Sequence, residues 1–444
     1  MWRSPRQGIL VAVPVPSAPL ADDYAPTPYW WDELEQRRPR IATPARQVDA
    51  AVIGGGLTGL AAALELARSG CHVVVLERDI VGQGASGRNG GMVHPGVKVD
   101  VAALASMPGG RALWDETVAA FEGLGALVGE LGIDCAWHRC GHVELAHHGR
   151  RTAHLRSVAD AYTAIGERAD FLNATEVRDE VGSSCFSGGL VVHRSAGLHP
   201  GRFAAGLAAV AESAGAVLHD YTEVLAIERA GAGHVVRTSR GPVRAREVVM
   251  ATNGTTDGRL VPWLGRRVLG VGSFMVATEP LDPSIVSSVS PNGRMLFDTR
   301  NFLHYWRPSP DARRILFGGR TSFAPVTVDR ARDELHRALV AIHPQLAGVR
   351  VARAWGGQVA LTADRMPHVG RHAGSGVVYA MGYCGTGVAL STHFGRCVGR
   401  WLAGTGDLPA FAGRRWPPVP SAAQVAGFLS IAGWWFRARD VLGR

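Results

Sequence analysis

The sequence predicts an α/β protein of two intimately joined domains. Three observations carry that expectation: a strand–helix–strand run with a glycine-dense turn over residues 48–77, a middle region in which helical and strand periodicities alternate, and a strand entering a long helix near residue 380. At 444 residues and 46% hydrophobic content, the chain can bury a large core.

Taken in order, the first element is an arm. Eight of the 25 prolines fall in the first 44 residues, so residues 1–47 are expected to be extended, with Tyr29, Trp30 and Trp31 docking on the body. Basic residues before an apolar run from Arg3 to Ala21 imitate a secretion signal. Pro14, Pro16 and Pro19 interrupt that run, and a disordered extension of a cytoplasmic protein is the expectation. Val48–Ile53 then reads as a strand, Leu57–Ser69 as a helix and Cys71–Leu76 as a second strand, a βαβ unit of Rossmann-like type. Helical spacing recurs over Arg111–Leu131, Arg151–Gly166 and Arg202–Ala214, and strand alternation over Val217–Ile227, His234–Thr238 and Val243–Ala251. Phe274–Thr278, Phe302–Arg307 and Ile315–Gly319 are predicted as antiparallel strands of a second, mixed sheet, and Val377–Met381 as a strand leading to a helix over Gly385–Leu402. In the tail, Val425, Phe428, Leu429, Ala432, Trp435 and Phe436 share one helical face, which is expected to pack on the body. Contact with a membrane surface is the alternative there, because Trp434 to Phe436 adjoin Arg437 and Arg439.

Composition excludes several classes. The net charge of +9 is scattered, with no basic run or interleaved aromatics, so no nucleic-acid partner is expected. Lys98 is the single lysine, the other 46 basic residues being arginine, a skew that reflects coding bias more than chemistry. The six cysteines form no CxxC and no regular framework, as suits reduced thiols, and no metal is expected. No stretch approaches the roughly 20 apolar residues of a membrane-spanning helix.

The chemistry is signalled by Gly54-Gly55-Gly56-Leu57-Thr58-Gly59, set between strand and helix. Gly54 permits the tight turn, Gly56 admits a pyrophosphate to the backbone and Gly59 lets helix and strand pack closely. Glu77 ends the next strand, 21 positions after Gly56, where a carboxylate accepts the hydroxyls of an adenosine ribose. Arg78 and the loop Gly84, Ala85, Ser86, Arg88, Asn89, Gly90 and Gly91 follow at once. Such a loop lets amides and small side chains lie along a long flat cofactor, with Arg88 supplying positive charge. No second GxGxxG is present to carry a nicotinamide nucleotide, so the substrate itself is the expected electron donor.

These motifs, with Gly382-Tyr383-Cys384-Gly385-Thr386-Gly387-Val388 near the C-terminus, resemble the D-amino-acid oxidase superfamily of FAD-dependent oxidoreductases, most closely its gamma-glutamylputrescine oxidoreductase type. Gly197-Leu198-His199-Pro200, Ala277-Thr278-Glu279-Pro280, Ala354-Trp355-Gly356-Gly357 and Pro367-His368-Val369-Gly370 extend the likeness over residues 28–410. The resemblance implies a discontinuous FAD-binding domain (48–100, 185–262 and 350–408) interrupted by a substrate domain (101–184 and 263–349), with a tail over 409–444. It implies Val224 on the adenine side and Gly356, Gly382, Gly385, Thr386, Gly387 and Val388 against the flavin. It departs from the family in three places. Cys384-Gly385-Thr386-Gly387 stands where several relatives have Ser-Gly-His-Gly. Gly357 stands where monomeric sarcosine oxidases attach flavin through cysteine, so FAD is expected to be non-covalent. The region Gly270–Phe274 has no lysine to speed reaction with oxygen, leaving oxygen or another acceptor to take the electrons.

A flavin needs its substrate held close and the amine neutral, and little acid–base machinery beyond that. His304, Tyr305 and Arg307, on one predicted strand, are candidates for the substrate's polar end, and Trp355 for an apolar wall. Arg307, Arg320 and Arg353 are candidate carboxylate clamps. His94 and His199, beside prolines, are read as structural. The expected function is oxidation of a small amine to an imine. The alternatives are oxidation of an amino acid in the manner of sarcosine or glycine oxidases, and a flavin-binding scaffold without turnover.

Overall fold

A computed structural model describes residues 17–35, 38–256, 258–319 and 326–419. The expected tail helix over 421–444 lies outside the described residues. Among those described, no helix is long and apolar enough to cross a membrane.

Two sheets organise the chain. The first runs Val224–Ala230, Gly233–Thr238, Gly241–Met250, Gln47–Ile53, Val73–Leu76 and Val217–His219, and Val378–Met381 and His368–Arg371 extend it beside the C-terminal half of Gly241–Met250. Its central strands are parallel and near-continuously apolar, as a sheet covered on both faces requires. Ala50, Val52, Val73 and Val75 face one core, while Ala51, Ile53, Val74 and Leu76 face another. Helix Leu57–Arg68 packs on the first of these faces, and helix Gly387–Leu402 packs on it through glycines. A Cβ at Gly395 would come within 2.3 Å of the Thr58 carbonyl oxygen, and one at Gly399 within 2.6 Å of that of Ala62. No larger residue permits so close an approach.

The second sheet has nine strands, in the order Leu20–Ala25, Val351–Leu361, Leu269–Thr278, Ile315–Gly319, His304–Pro308, Met295–Asp298, His142–Ala146, Gly188–Val192 and Ala169–Leu172. Helix Val328–Ile342 backs it, with Leu335, Leu339 and Ile342 packed against Trp306, Phe317 and Val276.

Three expectations are corrected. The arm is extended, but part of it, unexpectedly, joins a sheet. Leu20–Ala25 is an edge strand parallel to Val351–Leu361, hidden from sequence patterning by its two aspartates. Those acids serve the fold: Asp22 pairs with Arg350 and Asp23 with Arg353. The turn Tyr29–Trp31 follows, with Trp30 fully buried against His199 and the sheet residues Met275 and Trp355. Secondly, Gly188–Val192 and Val351–Leu361, expected with the nucleotide-binding segments, belong to the nine-stranded sheet. Thirdly, helix Gly110–Leu131, expected in the substrate domain, shares its core with helices Leu57–Arg68 and Gly387–Leu402. A boundary drawn along the sequence cannot follow a sheet whose neighbours are set by long-range pairing.

Glu116, on helix Gly110–Leu131, hydrogen-bonds His393 of helix Gly387–Leu402 and accepts from the Ala410 amide, tying both helices to the chain beyond them. Burial alone would lower the His393 pKa, but hydrogen bonds to Cys397 and Glu116 outweigh it and push the value up to about 9. Because the folded value lies above the ordinary 6.5, this contribution to stability is complete below pH 6.5 and is lost as pH rises through about 9. Urea midpoints measured from pH 6.5 to 9.5 are expected to fall more steeply for the wild type than for His393→Ala; parallel curves would show that the pair contributes nothing.

Candidate functional site

The C-terminal ends of Gln47–Ile53 and Val73–Leu76, the two glycine loops and one face of the nine-stranded sheet enclose a cavity of about 1370 Å³. That exceeds the roughly 300–1,000 Å³ of an ordinary small-molecule pocket and leaves room for a long ligand with a second molecule beside it.

At one end the Gly54 turn is formed with φ +104°, a left-handed conformation that disfavours any side chain, and a Cβ there would also meet the Ala251 carbonyl at 2.8 Å. Gly56 precedes the first turn of helix Leu57–Arg68, so the helix N-terminus opens on the cavity. Ser86 Oγ accepts from the Leu57 amide at 2.9 Å, holding the second glycine loop over the first. A Cβ at Gly56 would lie 2.8 Å from that oxygen. Glu77 accepts from the amides of Gly55 (2.8 Å) and Asp79 (2.9 Å), which fixes its carboxylate at the strand end. Val224, Tyr221 and Arg78 complete this end.

Along the cavity lie Gly84, Ala85, Ser86, Arg88, Asn89 and Gly90, then Gly356, Gly385, Thr386, Gly387 and Val388. Of the residues expected to hold the cofactor, Gly59, Gly91 and Gly382 stand behind this surface. Gly59 packs on Gly54, where a Cβ would meet its carbonyl at 2.0 Å, and Gly91 packs on the Leu198 carbonyl at 2.1 Å. Gly382 has φ +88° and donates its amide to Asn253 Oδ1 at 2.9 Å. Arg88 is not a free charge. Its guanidinium donates to the carbonyls of Gln83 and Gly356 and lies 4.9 Å from the Trp31 ring, and burial lowers its pKa. Tyr383 bridges the halves, its hydroxyl 2.8 Å from Thr58 Oγ1, and burial pushes its pKa up.

The wall opposite is one cross-strand row. Trp355 pairs with Met275, Met275 with Gly318, Gly318 with Tyr305, Tyr305 with Phe297 and Phe297 with Glu144. All of these except Gly318 line the cavity. Gly318 is the gap in the row that the Tyr305 ring fills, since a Cβ there would lie 2.4 Å from the ring. Trp355 Nε1 donates to the Arg88 carbonyl at 2.8 Å, and the Tyr305 hydroxyl is 3.2 Å from Ser273 Oγ.

His304 lies one residue along from Tyr305 and so faces the other side of the sheet, bound to Asp298 (Nδ1 to Oδ2, 3.0 Å) and stacked on Phe317. It does not line the cavity. Arg307 is buried behind Gly91, donating to the carbonyls of Gly91, Leu198 and Pro308. Arg353 is held by Asp23 and Asp32, and Arg320 lies outside the described residues. Among the described residues, only Arg78, Arg88 and Arg259 bring arginine to the lining. His199 caps helix Pro200–Ser213, accepting from the Arg202 amide, as a structural histidine should. His94 corrects its structural reading, because it lines the cavity.

Sequence reasoning missed the far end of this row, where Glu144 is joined by His94, Lys98, His142 and Tyr162. Its signal was present. In His142–Ala146 two polar residues alternate with Val143 and Leu145, which enter the core of the second sheet, so the polar face had to meet something other than apolar side chains.

The profile of the family described as FAD dependent oxidoreductase (DAO) matches residues 49–401. The probable oxidoreductase OrdL of Rhizobium meliloti (strain 1021) is 31% identical over 95% of this chain and 99% of its own length. The gamma-glutamylputrescine oxidoreductase of Escherichia coli (strain K12) is 30% identical over 89% and 93% respectively. The crystal structure of glycine oxidase from Geobacillus kaustophilus superposes with a TM-score of 0.70 at 25% identity, covering 83% of this chain and 97% of that one.

Glu77→Gln keeps the shape of the acid and removes its charge. A charged acceptor is worth about 1.5–3 kcal/mol, so FAD affinity is expected to fall about tenfold or more, measured by fluorescence titration of the deflavinated protein; unchanged affinity would leave Glu77 as a clamp on the Gly55 turn alone.

Proposed function

The chain belongs to the FAD dependent oxidoreductase (DAO) family, and from that premise we propose that it oxidises a primary amine whose reacting carbon carries no carboxylate, as in gamma-glutamylputrescine. The observation that carries this reading is the commitment of the arginines. Beside Gly356, Gly357 and Gly385–Val388 the lining offers, among the described residues, only Arg88, and its guanidinium is spent on backbone carbonyls. A site built for an α-amino acid needs a fork-shaped cation facing its carboxylate.

The residues fit FAD. The ADP half would lie between the Gly54–Gly56 turn, Glu77 and Val224, with its pyrophosphate at the N-terminus of helix Leu57–Arg68, and the flavin would meet Gly356, Gly357 and Gly385–Val388. When bound, FAD accepts the two electrons of C–N oxidation as a hydride. The chain's own part is placement. Trp355, Met275 and Tyr305 form the wall against which the substrate's alkyl chain lies, and the Tyr305 hydroxyl meets its nitrogen. The amine enters neutral, because an ammonium has no lone pair to support departure of the hydride, and water hydrolyses the imine afterwards.

We further propose that FAD is held without a covalent link. At Gly357 a Cβ would press on Arg88 at 3.2 Å, so the position that bears cysteine in other members has little room for one here. The Cys384 thiol is buried, which raises its pKa, and it is engaged with Thr362 and the Gly382 carbonyl.

A second reading, oxidation of a small amino acid, is favoured by the superposition on glycine oxidase. Anaerobic bleaching of the visible flavin band decides between them. Primary amines should reduce the flavin faster than glycine, sarcosine or D-amino acids, with rates rising as pH increases; the reverse order would install the second reading. Acid precipitation should release a yellow supernatant, and flavin retained on the denatured chain would point to His94 or Cys384 as the attachment.

A further inference from the structure

Away from the cavity, three side chains of metal-ligating type point at one another. His393 and Cys397 lie four residues apart on helix Gly387–Leu402 and so share one face, and Glu116 meets them from helix Gly110–Leu131. None of the three lines the cavity. His393 Nε2 is hydrogen-bonded to Glu116 Oε1 and is also 3.7 Å from Cys397 Sγ. One oxygen, one nitrogen and one sulfur thus lie within 4.8 Å of one another, the one such group among the described residues. His393 and Cys397 alone are half a metal motif, and the third side chain is 277 residues away in sequence, which hides the group from any reading of local spacing.

The pairing of Glu116 with His393 accounts for two of these groups and leaves the third unexplained. An imidazole nitrogen carries at most one proton, which the carboxylate already takes, yet the thiol is directed at the same nitrogen. The spacing fits an ion in that proton's place. With Zn–S about 2.3 Å and Zn–N about 2.0–2.1 Å, sulfur and nitrogen of a tetrahedral zinc site stand roughly 3.5 Å apart, close to the 3.7 Å here. The second oxygen of Glu116 accepts from the Ala410 amide at 3.0 Å, which orients the carboxylate as an outer hydrogen bond orients a metal ligand. Glu116 and His393 are half-buried, so solvent reaches the group, whereas Cys397 is buried. Arg396, the nearest cation in sequence, turns to Glu65 on helix Leu57–Arg68 instead.

We propose that Glu116 Oε1, His393 Nε2 and Cys397 Sγ bind a zinc ion, with water in the fourth position. A carboxylate, an imidazole and a thiolate together suit zinc, whereas magnesium and calcium prefer oxygen throughout. Binding releases the proton that Glu116 and His393 share and the proton of the Cys397 thiol. Two protons leave for one divalent ion, so the net charge of the group does not change. The carboxylate oxygen moves back from the imidazole as zinc replaces the proton between them. The ion ties helix Gly110–Leu131 to helix Gly387–Leu402, whose N-terminus opens on the cavity, and its water-filled position leaves it exchangeable. This inference is independent of which substrate the enzyme oxidises.

In the test, the untagged, FAD-loaded chain is freed of metal with a chelator, dialysed against zinc chloride and then against metal-free buffer, and its zinc content is measured by plasma emission spectrometry. The wild type should retain one zinc ion per chain, and X-ray absorption at the zinc edge should show one sulfur among nitrogen and oxygen neighbours. Cys397→Ser, which keeps the size of the side chain, should lose the ion, whereas Cys185→Ser, at an exposed thiol elsewhere, should keep it. Zinc should also raise the thermal midpoint of the wild type and leave that of Cys397→Ser unchanged. The visible flavin spectrum checks that the variant has folded, and His393→Gln replaces it if it has not. A wild type that retains no zinc, a folded Cys397→Ser or His393→Gln chain that retains as much, a Cys185→Ser chain that loses it, or a zinc shell without sulfur would overturn the proposal.

Discussion

The contact on which the site depends is the approach of two helices through glycine. With no Cβ at Gly395 or Gly399, helix Gly387–Leu402 presses its backbone onto the Thr58 and Ala62 carbonyls of helix Leu57–Arg68. Segments more than 300 residues apart in sequence are thereby fixed side by side, and the N-termini of both helices open on one cavity. Unsatisfied amides and the positive end of the macrodipole make each terminus a place for negative charge. One lies beneath the expected pyrophosphate and the other beside the expected flavin. The Thr58–Tyr383 hydrogen bond locks the same pair of termini at the cavity floor.

The second sheet answers with a row of side chains instead of backbone. A single register, from Trp355 through Met275, Tyr305 and Phe297 to Glu144, sets which side chains the sheet presents along the cavity. Because side chains alternate across a strand, shifting any one of these strands by one residue would turn its member of the row into the opposite core. Leu335, Phe317 and Trp306, packed on that opposite face, therefore specify the reactive face as firmly as the residues on it do. The buried Trp30 adds to this from the N-terminal segment, joining the Met275 and Trp355 cluster to His199 at the foot of helix Pro200–Ser213.

The nucleotide half was legible because its signals are local. Gly54, Gly56 and Glu77 lie within one βαβ unit, and turn, helix start and strand end each leave a mark in the sequence. Strands such as Ile315–Gly319 and helices such as Gly110–Leu131 were legible for the same reason. The substrate half was not, since its row draws on strands from residue 142 to residue 355 and alternation cannot say which face is which. Of two neighbours on one strand, Tyr305 lines the cavity and His304 does not. Leu20–Ala25 was invisible because its strand character comes from edge pairing and from Arg350 and Arg353, not from its own composition.

Charge in the cavity follows from what the arginines are already doing. A chain with 46 of them has no shortage of cations, yet Arg307 is consumed by three carbonyls, Arg353 by two aspartates and Arg88 by the loop that carries it. Each such bond removes a fork that a carboxylate might have used, and desolvation makes it costly to redirect one. Among the described residues, the part of the cavity beside Gly356 and Gly385 is thus left with aromatic and neutral polar surface. The proposed substrate, whose reacting carbon bears no carboxylate, is the kind that such a surface suits.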